Sequence, residues 1–412
     1  MSHAYRSVPL IALFALVTDA LAQDWPQWRG PGRDARVAGF VPPKAWPKEL
    51  AQKWKVTVGQ GDAAPSLVGN QLFIFARQEG SEVTLCLDAA TGKELWSDKI
   101  EAQAISGPAS GHAGPRSSPA VADGKVVTLG VRGTVSCFEA ATGKKLWRKD
   151  DFQAWPQFFT SSSPLIVDGR CIAQLGGKGN GALVAYDLAT GDPKWKWTGD
   201  GPGYASPALL TVGKTQAIVA ETESKVVAID AADGKLLWQA PFAPQARGYN
   251  AATPVVEGQT IIYAGSGRGT RAVKLEREGD AVTAKELWSN SEKSVQFSTP
   301  VLRNGLLFCL SQANEFFCIN AQDGKTAWTA PSGPAAGGRM RGAGYGSILD
   351  AGSVLLALTP GSELIVLQPS EKEYAELARI KVAATPTYAH LVVSGNRLFV
   401  KDQDSVILMA IE

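Results

Sequence analysis

Residues able to do chemistry unaided are scarce in this chain. Among 412 residues there are three histidines and five cysteines. Beyond the N-terminal leader only His112 and His390 remain, far apart in sequence, which excludes a multi-histidine metal site. No Gly-x-Ser-x-Gly elbow occurs. Gly324-Lys325-Thr326 mimics the end of a phosphate loop, but the first glycine of that motif would fall at 319, which is Ile319. The glycine runs at 176–181 and 265–269 precede no helix that could aim its N-terminus at phosphate, so they read as hairpin tips. What the sequence offers instead is recognition chemistry. Asp62, Arg116, Tyr204, Arg247, Tyr249, Asn250, Phe297, Arg341 and Tyr345 are mostly aromatic or guanidinium-bearing, the types that concentrate binding energy. Such a set suits a peptide or a flat ligand, held by ring stacking and bidentate hydrogen bonds.

These residues belong together only through a repeat. Leu87-Asp88-Ala89-Ala90-Thr91-Gly92-Lys93-Glu94-Leu95-Trp96 recurs as 138–147, and in shorter form ahead of Trp195, Trp238 and Trp328. A looser copy ends in Lys285-Glu286-Leu287-Trp288. Each copy predicts a hairpin: alternating strands flank a turn in which an acidic side chain bonds the backbone ahead and glycine supplies a positive φ. A buried indole hides about 150–250 Å², and one hairpin has nothing to bury it against. The unit is stable only beside its own copies.

The tryptophans stand at 54, 96, 147, 195, 238, 288 and 328, and Ala378 holds an eighth slot. A second marker precedes each unit: Ala64-Pro65, Ser118-Pro119, Ser163-Pro164, Ser206-Pro207, Thr253-Pro254, Thr299-Pro300, Ser347-Ile348 and Thr385-Pro386. Four short strands per period of about 46 residues predict an all-β, eight-bladed β-propeller of four-stranded antiparallel blades. The C-terminus has room for three strands, and 53–58 reads as a fourth without its first three. The N-terminal strand is therefore expected to complete the last blade and close the ring. The position three before each marker proline begins an innermost strand at the mouth. Around the ring it is Asp62, Arg116, Ser161, Tyr204, Ala251, Phe297, Tyr345 and Ala383. His112, Trp155, Phe158, Phe159, Arg247, Tyr249, Asn250, Gln296, Arg339 and Arg341 lie in the same loops. The alternative is that these side chains simply fill the channel.

The Asp-x-x-Thr-Gly-Lys-x-x-Trp unit resembles the tryptophan-docking repeat of pyrroloquinoline-quinone-type propellers. That family includes quinoprotein dehydrogenases and an outer-membrane-protein assembly lipoprotein. The resemblance implies the fold over nearly the whole mature chain, and leaves the quinone open. Quinone-binding dehydrogenases of the family generally carry an adjacent Cys-Cys pair, which this chain lacks, so no cofactor is expected. The leading expectation is a scaffold, without chemistry of its own, that binds a protein segment or small ligand at the mouth. The alternatives are a dehydrogenase using pyrroloquinoline quinone with calcium to oxidise an alcohol or sugar, and a carbohydrate-binding module.

Residues 1–22 read as a secretory signal: Arg6, a ten-residue apolar run and Ala20-Leu21-Ala22. The expected location is periplasmic or secreted. No cysteine follows the apolar run, so no lipid anchor is expected. Residues 23–50, rich in Trp and Pro, read as an extended strap on a propeller spanning 51–412, since so many prolines exclude helix and central strand. The net charge of +2 argues against nucleic acid as a partner, and a closed ring is expected to be a monomer. Cys86, Cys137 and Cys318 share a repeat position held elsewhere by Ala185, Ala228 and Ala272, which predicts small buried sites with inert thiols. Cys309 and Cys318, facing across a hairpin turn, are in place for one disulfide.

Overall fold

The computed structural model describes residues 23–245, 248–332 and 344–412. Eight four-stranded antiparallel sheets account for the described strands, and in seven of them the strands pair in the order of the chain. Blades 1 to 7 span 66–101, 120–149, 165–197, 208–241, 255–290, 301–331 and 347–381. Blade 8 is made from both ends of the chain: Val392–Ser394, Arg397–Lys401 and Ser405–Ala410 are completed by Ala51–Thr57, which pairs antiparallel with Ser405–Ala410. No free sheet edge is left between the two ends. One 3-10 turn, Gly107–Ala109, is the helical content of the described residues. No helix among the described residues is long and apolar enough to cross a membrane.

The repeat works by docking each blade onto the next. Trp96 lies across its own hairpin from Cys86, Trp147 from Cys137, Trp195 from Ala185, Trp238 from Ala228, Trp288 from Ala272 and Trp328 from Cys318. Immediately beyond each pair the register slips by one residue, a bulge that twists the outer strand. The indole reaches out to the following blade. Trp147 Nε1 donates to Leu188 O at 3.0 Å, and the same bond runs from Trp96 to Ala140, Trp195 to Ala231, Trp288 to Ala321 and Trp328 to Ser370. Trp54 closes the circle by donating to Ala89 O of blade 1. The turn glycine must be glycine for two reasons. At Gly191, φ is +76°, and a Cβ would sit 2.7 Å from the Trp147 ring.

Two blades break the rule, each for a stated cause. Blade 5 replaces the short turn with a long hairpin, Gly269–Glu278 and Ala281–Asn290. Trp238 of blade 4 then finds no such bond among the described residues and rests half-buried beside Val282. Blade 8 has no turn between its outer strands, because they come from opposite chain ends. The slot facing it, opposite Val366 in blade 7, is Ala378.

The disulfide that the spacing of Cys309 and Cys318 left open does not form. All five cysteines are free and buried. Cys309 pairs in register with Phe317, and Cys318 with Phe308. The two thiols are thus one residue out of step, and alternation along the strands sends them to opposite faces of the blade.

Candidate functional site

The marker residues build the channel wall. The backbone N–H of Ala64 donates to Ser118 Oγ at 3.2 Å, Ser118 N–H to Ser163 Oγ at 3.0 Å, and Ser163 N–H to Ser206 Oγ at 2.9 Å. Ser206 N–H continues to Thr253 Oγ1 and Thr253 N–H to Thr299 Oγ1. A belt of hydroxyls thus stitches successive blades around the axis, which is why Ser or Thr precedes the proline.

The strap plugs this channel. Trp25 bridges to Leu67 of blade 1, Pro26 O accepts from Val121 N–H of blade 2, and Val37 N–H donates to Asp350 O of blade 7. Arg29 is fully buried and donates to Thr299 O at 3.1 Å and Pro300 O at 2.7 Å. Arg33 does the same to Pro164 O at 2.9 Å in blade 3. Burial lowers the Arg29 pKa to about 10 and the Arg33 pKa to about 9, with the neighbouring Arg29 adding to the second. Both stay cationic at neutral pH, held by carbonyl oxygens. Trp28 donates to Thr253 Oγ1 at 3.1 Å and packs against His390, with ring centroids 4.0 Å apart and the planes tilted by 44°. Burial, and then the charge of Arg29, push the His390 pKa down to about 3, so this imidazole is neutral.

Above that floor lies a cup of about 370 Å³. Its wall carries Asp62, Arg116, Ser161, Tyr204, Ala251, Phe297 and Tyr345, one mouth position from each of blades 1 to 7. Tyr388 supplies the eighth. The blade 8 marker is thus His390-Leu391, directly before the strand Val392–Ser394, and neither Thr385-Pro386 nor Ala383 holds the equivalent place. Leucine stands in the proline slot, so the compositional signal is missing there. Pro108, Ala109 and His112 reach over the rim from the loop between blades 1 and 2.

The rings fall into two groups. Phe297 stacks on Tyr345 at 4.3 Å and 6°, while Tyr388 meets His112 edge-on at 4.7 Å. Phe158, Tyr204 and Tyr249 form a mutually T-shaped trio on the other side. His112 Nδ1 bonds Asp62 Oδ2 at 2.6 Å. Arg116 donates to the carbonyl oxygens of Phe158 and, at 3.1 Å, His112. Burial lowers its pKa, and the charge of Asp62 opposes that. Burial also raises the phenols of Tyr204 and Tyr345.

Six of the nine residues singled out from sequence line this cup: Asp62, Arg116, Tyr204, Tyr249, Phe297 and Tyr345. Asn250 does not. Its side chain is buried, donates to Thr222 O at 2.8 Å and Phe242 O at 3.0 Å, and accepts from Arg268. Its place is structural, tying blade 4 to blade 5. Arg247 and Arg341 lie outside the described residues. Trp28 and His390 were missed as lining because nothing local in a strap or in a proline-free marker announces that it will reach the axis.

An eight-bladed ring with tryptophan docking and a mouth cup defines a quinone-type propeller. A family model described as "Outer membrane protein assembly factor BamB" matches residues 46–152, 79–330 and 278–373. That is well over half of the chain, and the chain belongs to this family. Outer membrane protein assembly factor BamB of Burkholderia pseudomallei is 25% identical over 294 residues, covering 62% of this chain and 73% of that protein. The crystal structure of BamB from Moraxella catarrhalis matches with a TM-score of 0.64 at 15% identity, over 88% of this chain and 98% of that one. Quinohemoprotein alcohol dehydrogenase from Comamonas testosteroni matches with a TM-score of 0.67 at 14% identity, over 94% and 80%. These structural likenesses carry the fold.

A calcium-held quinone needs several carboxylate or amide oxygens converging at the axis. Among the described residues, Asp62 is the one carboxylate lining the cup, already engaged by His112, and no three His, Cys, Asp or Glu side chains converge. This donor set does not fit that cofactor.

Proposed function

We propose that this protein is an exported propeller, periplasmic or secreted, that works by binding a compact group in its mouth cup. The group is a small ligand or the tip of a protein segment. One observation carries the reading: the cup is floored, because Trp28 of the protein's own strap lies against His390 of blade 8 at its base. A through-channel would suit a threaded chain. A walled cup of this size, rimmed by rings and a few polar groups, suits a compact ligand. Similarity to proteins named as assembly factors supports a protein partner. The dehydrogenase reading rests on shared fold and is disfavoured by the donor set.

Titrating the purified protein with pyrroloquinoline quinone and calcium separates the two. The binding reading expects no stoichiometric chromophore and no dye-linked oxidation of alcohols or sugars. Saturable quinone uptake with turnover would replace it with the enzyme. A glycan array tests the carbohydrate alternative in the same way, and capture from the native exported fraction identifies a protein partner.

A further inference from the structure

Among the described residues the cup is lined by one carboxylate, Asp62, and one guanidinium, Arg116, which feel each other's charge but form no ion pair. Asp62 gives Oδ2 to His112, leaving Oδ1 without a hydrogen bond among the described residues. Arg116, which lines the cup, donates to two backbone carbonyls and to no carboxylate, so its five N–H donors are not all used by these two bonds. Behind the wall, Lys401 is a further cation, and its charge and that of Asp62 attract without a hydrogen bond between them. Lys401 is buried and donates to Asp402 O at 2.7 Å, while the Asp402 carboxylate pairs with Lys55 at 3.3 Å. His390 on the floor is neutral.

An apolar pocket with a single charge selects the opposite ion. A pocket presenting both charges separately selects a molecule that carries both, because each group then regains in the complex the partner that desolvation removed. A guanidinium grips a carboxylate bidentately. The free oxygen of Asp62 suits an ammonium, and the aromatic wall around it suits an apolar side chain. At about 370 Å³ the cup lies at the small end of ligand sites, which suits a single amino acid better than a chain.

We propose that the cup binds a free zwitterionic amino acid with an apolar or aromatic side chain, its carboxylate on Arg116 and its ammonium beside Asp62. This rests on the reading of the cup as a binding site and narrows it to one chemistry. The two can fail separately.

The test is calorimetric titration of the full protein with L-phenylalanine, 3-phenylpropionate, which lacks the ammonium, and phenethylamine, which lacks the carboxylate. Phenylalanine is expected to bind at least about ten-fold tighter than either. Arg116→Gln should lose roughly that factor for phenylalanine and leave phenethylamine unchanged, while Asp62→Asn should do the reverse for 3-phenylpropionate. Arg116→Lys keeps the charge and guards against a folding artefact: it should retain most of the preference. If either singly charged compound binds as tightly as phenylalanine, the zwitterion inference is overturned and the cup remains a binding site. If none of the three binds, the amino-acid inference falls, while the wider reading of the cup as a binding site is decided by the capture experiment above.

Discussion

Trp147→Ala and Trp238→Ala remove the same side chain from equivalent strands, yet they should differ sharply. Trp147 is 7% exposed, donates to Leu188 O at 3.0 Å and lies against Gly191 of the next blade. Its indole hides about 150–250 Å², an upper bound near 4–6 kcal/mol at about 25 cal/mol/Å². Large-to-small core changes of this kind cost about 3–5 kcal/mol, and the Leu188 carbonyl, left with only the weak Cys137 thiol donor at 3.6 Å, adds about 1 kcal/mol. Trp238 is half-buried against a cluster shared with blade 5 but makes no indole hydrogen bond to it among the described residues, so its loss should cost about 1–2 kcal/mol, the cost of a partly buried ring without the carbonyl. Urea unfolding with a shared slope measures both. Equal losses, or a loss below about 1 kcal/mol for Trp147→Ala, would refute the claim that docking between blades, rather than burial within a blade, holds the ring.

Gly191→Ala should destabilise by several kcal/mol in the same assay, since it combines a positive φ with a clash against Trp147. Arg29→Ala should cost about 3–5 kcal/mol by leaving the Thr299 and Pro300 carbonyls buried and unpaired, with Arg29→Lys intermediate because an ammonium cannot fork between them. His390 binds no proton in the folded state until about pH 3, whereas the unfolded chain takes one up below its ordinary value of 6.5. Its stabilising contribution is complete above pH 6.5 and falls with acidification, by about 2 kcal/mol between pH 7 and pH 5. His390→Gln should lack that part of the acid limb in pH-dependent melts. A thiol reagent should find essentially no reactive cysteine in the native protein and all five after unfolding, because burial pushes Cys86, Cys137 and Cys318 up to about 12.

Blade number, closure and most of the mouth were legible before any coordinates, because the repeat reports them twice, through the docked indole and through the hydroxyl belt. Each device acts between adjacent copies of one local unit, so its residue types must recur at the repeat spacing. Where a device is absent the signal fails. Blade 8 has leucine for proline, and Tyr388 was missed in favour of Ala383. Blade 7 has no turn to dock on, and Ala378 takes the tryptophan slot.

Contacts made once had no repeat to announce them. That Trp28 would floor the cup, that Arg29 and Arg33 would hold carbonyls in blades 6 and 3, and that Asn250 would be tied into the frame depend on segments hundreds of residues apart in some cases. The strand offset between Cys309 and Cys318 likewise depends on how the hairpin closes, which spacing alone leaves open by one residue. Local pattern therefore determines the ring, whereas the blindness of the cup and its unpaired charges arise from where the chain's two ends and its strap come to rest.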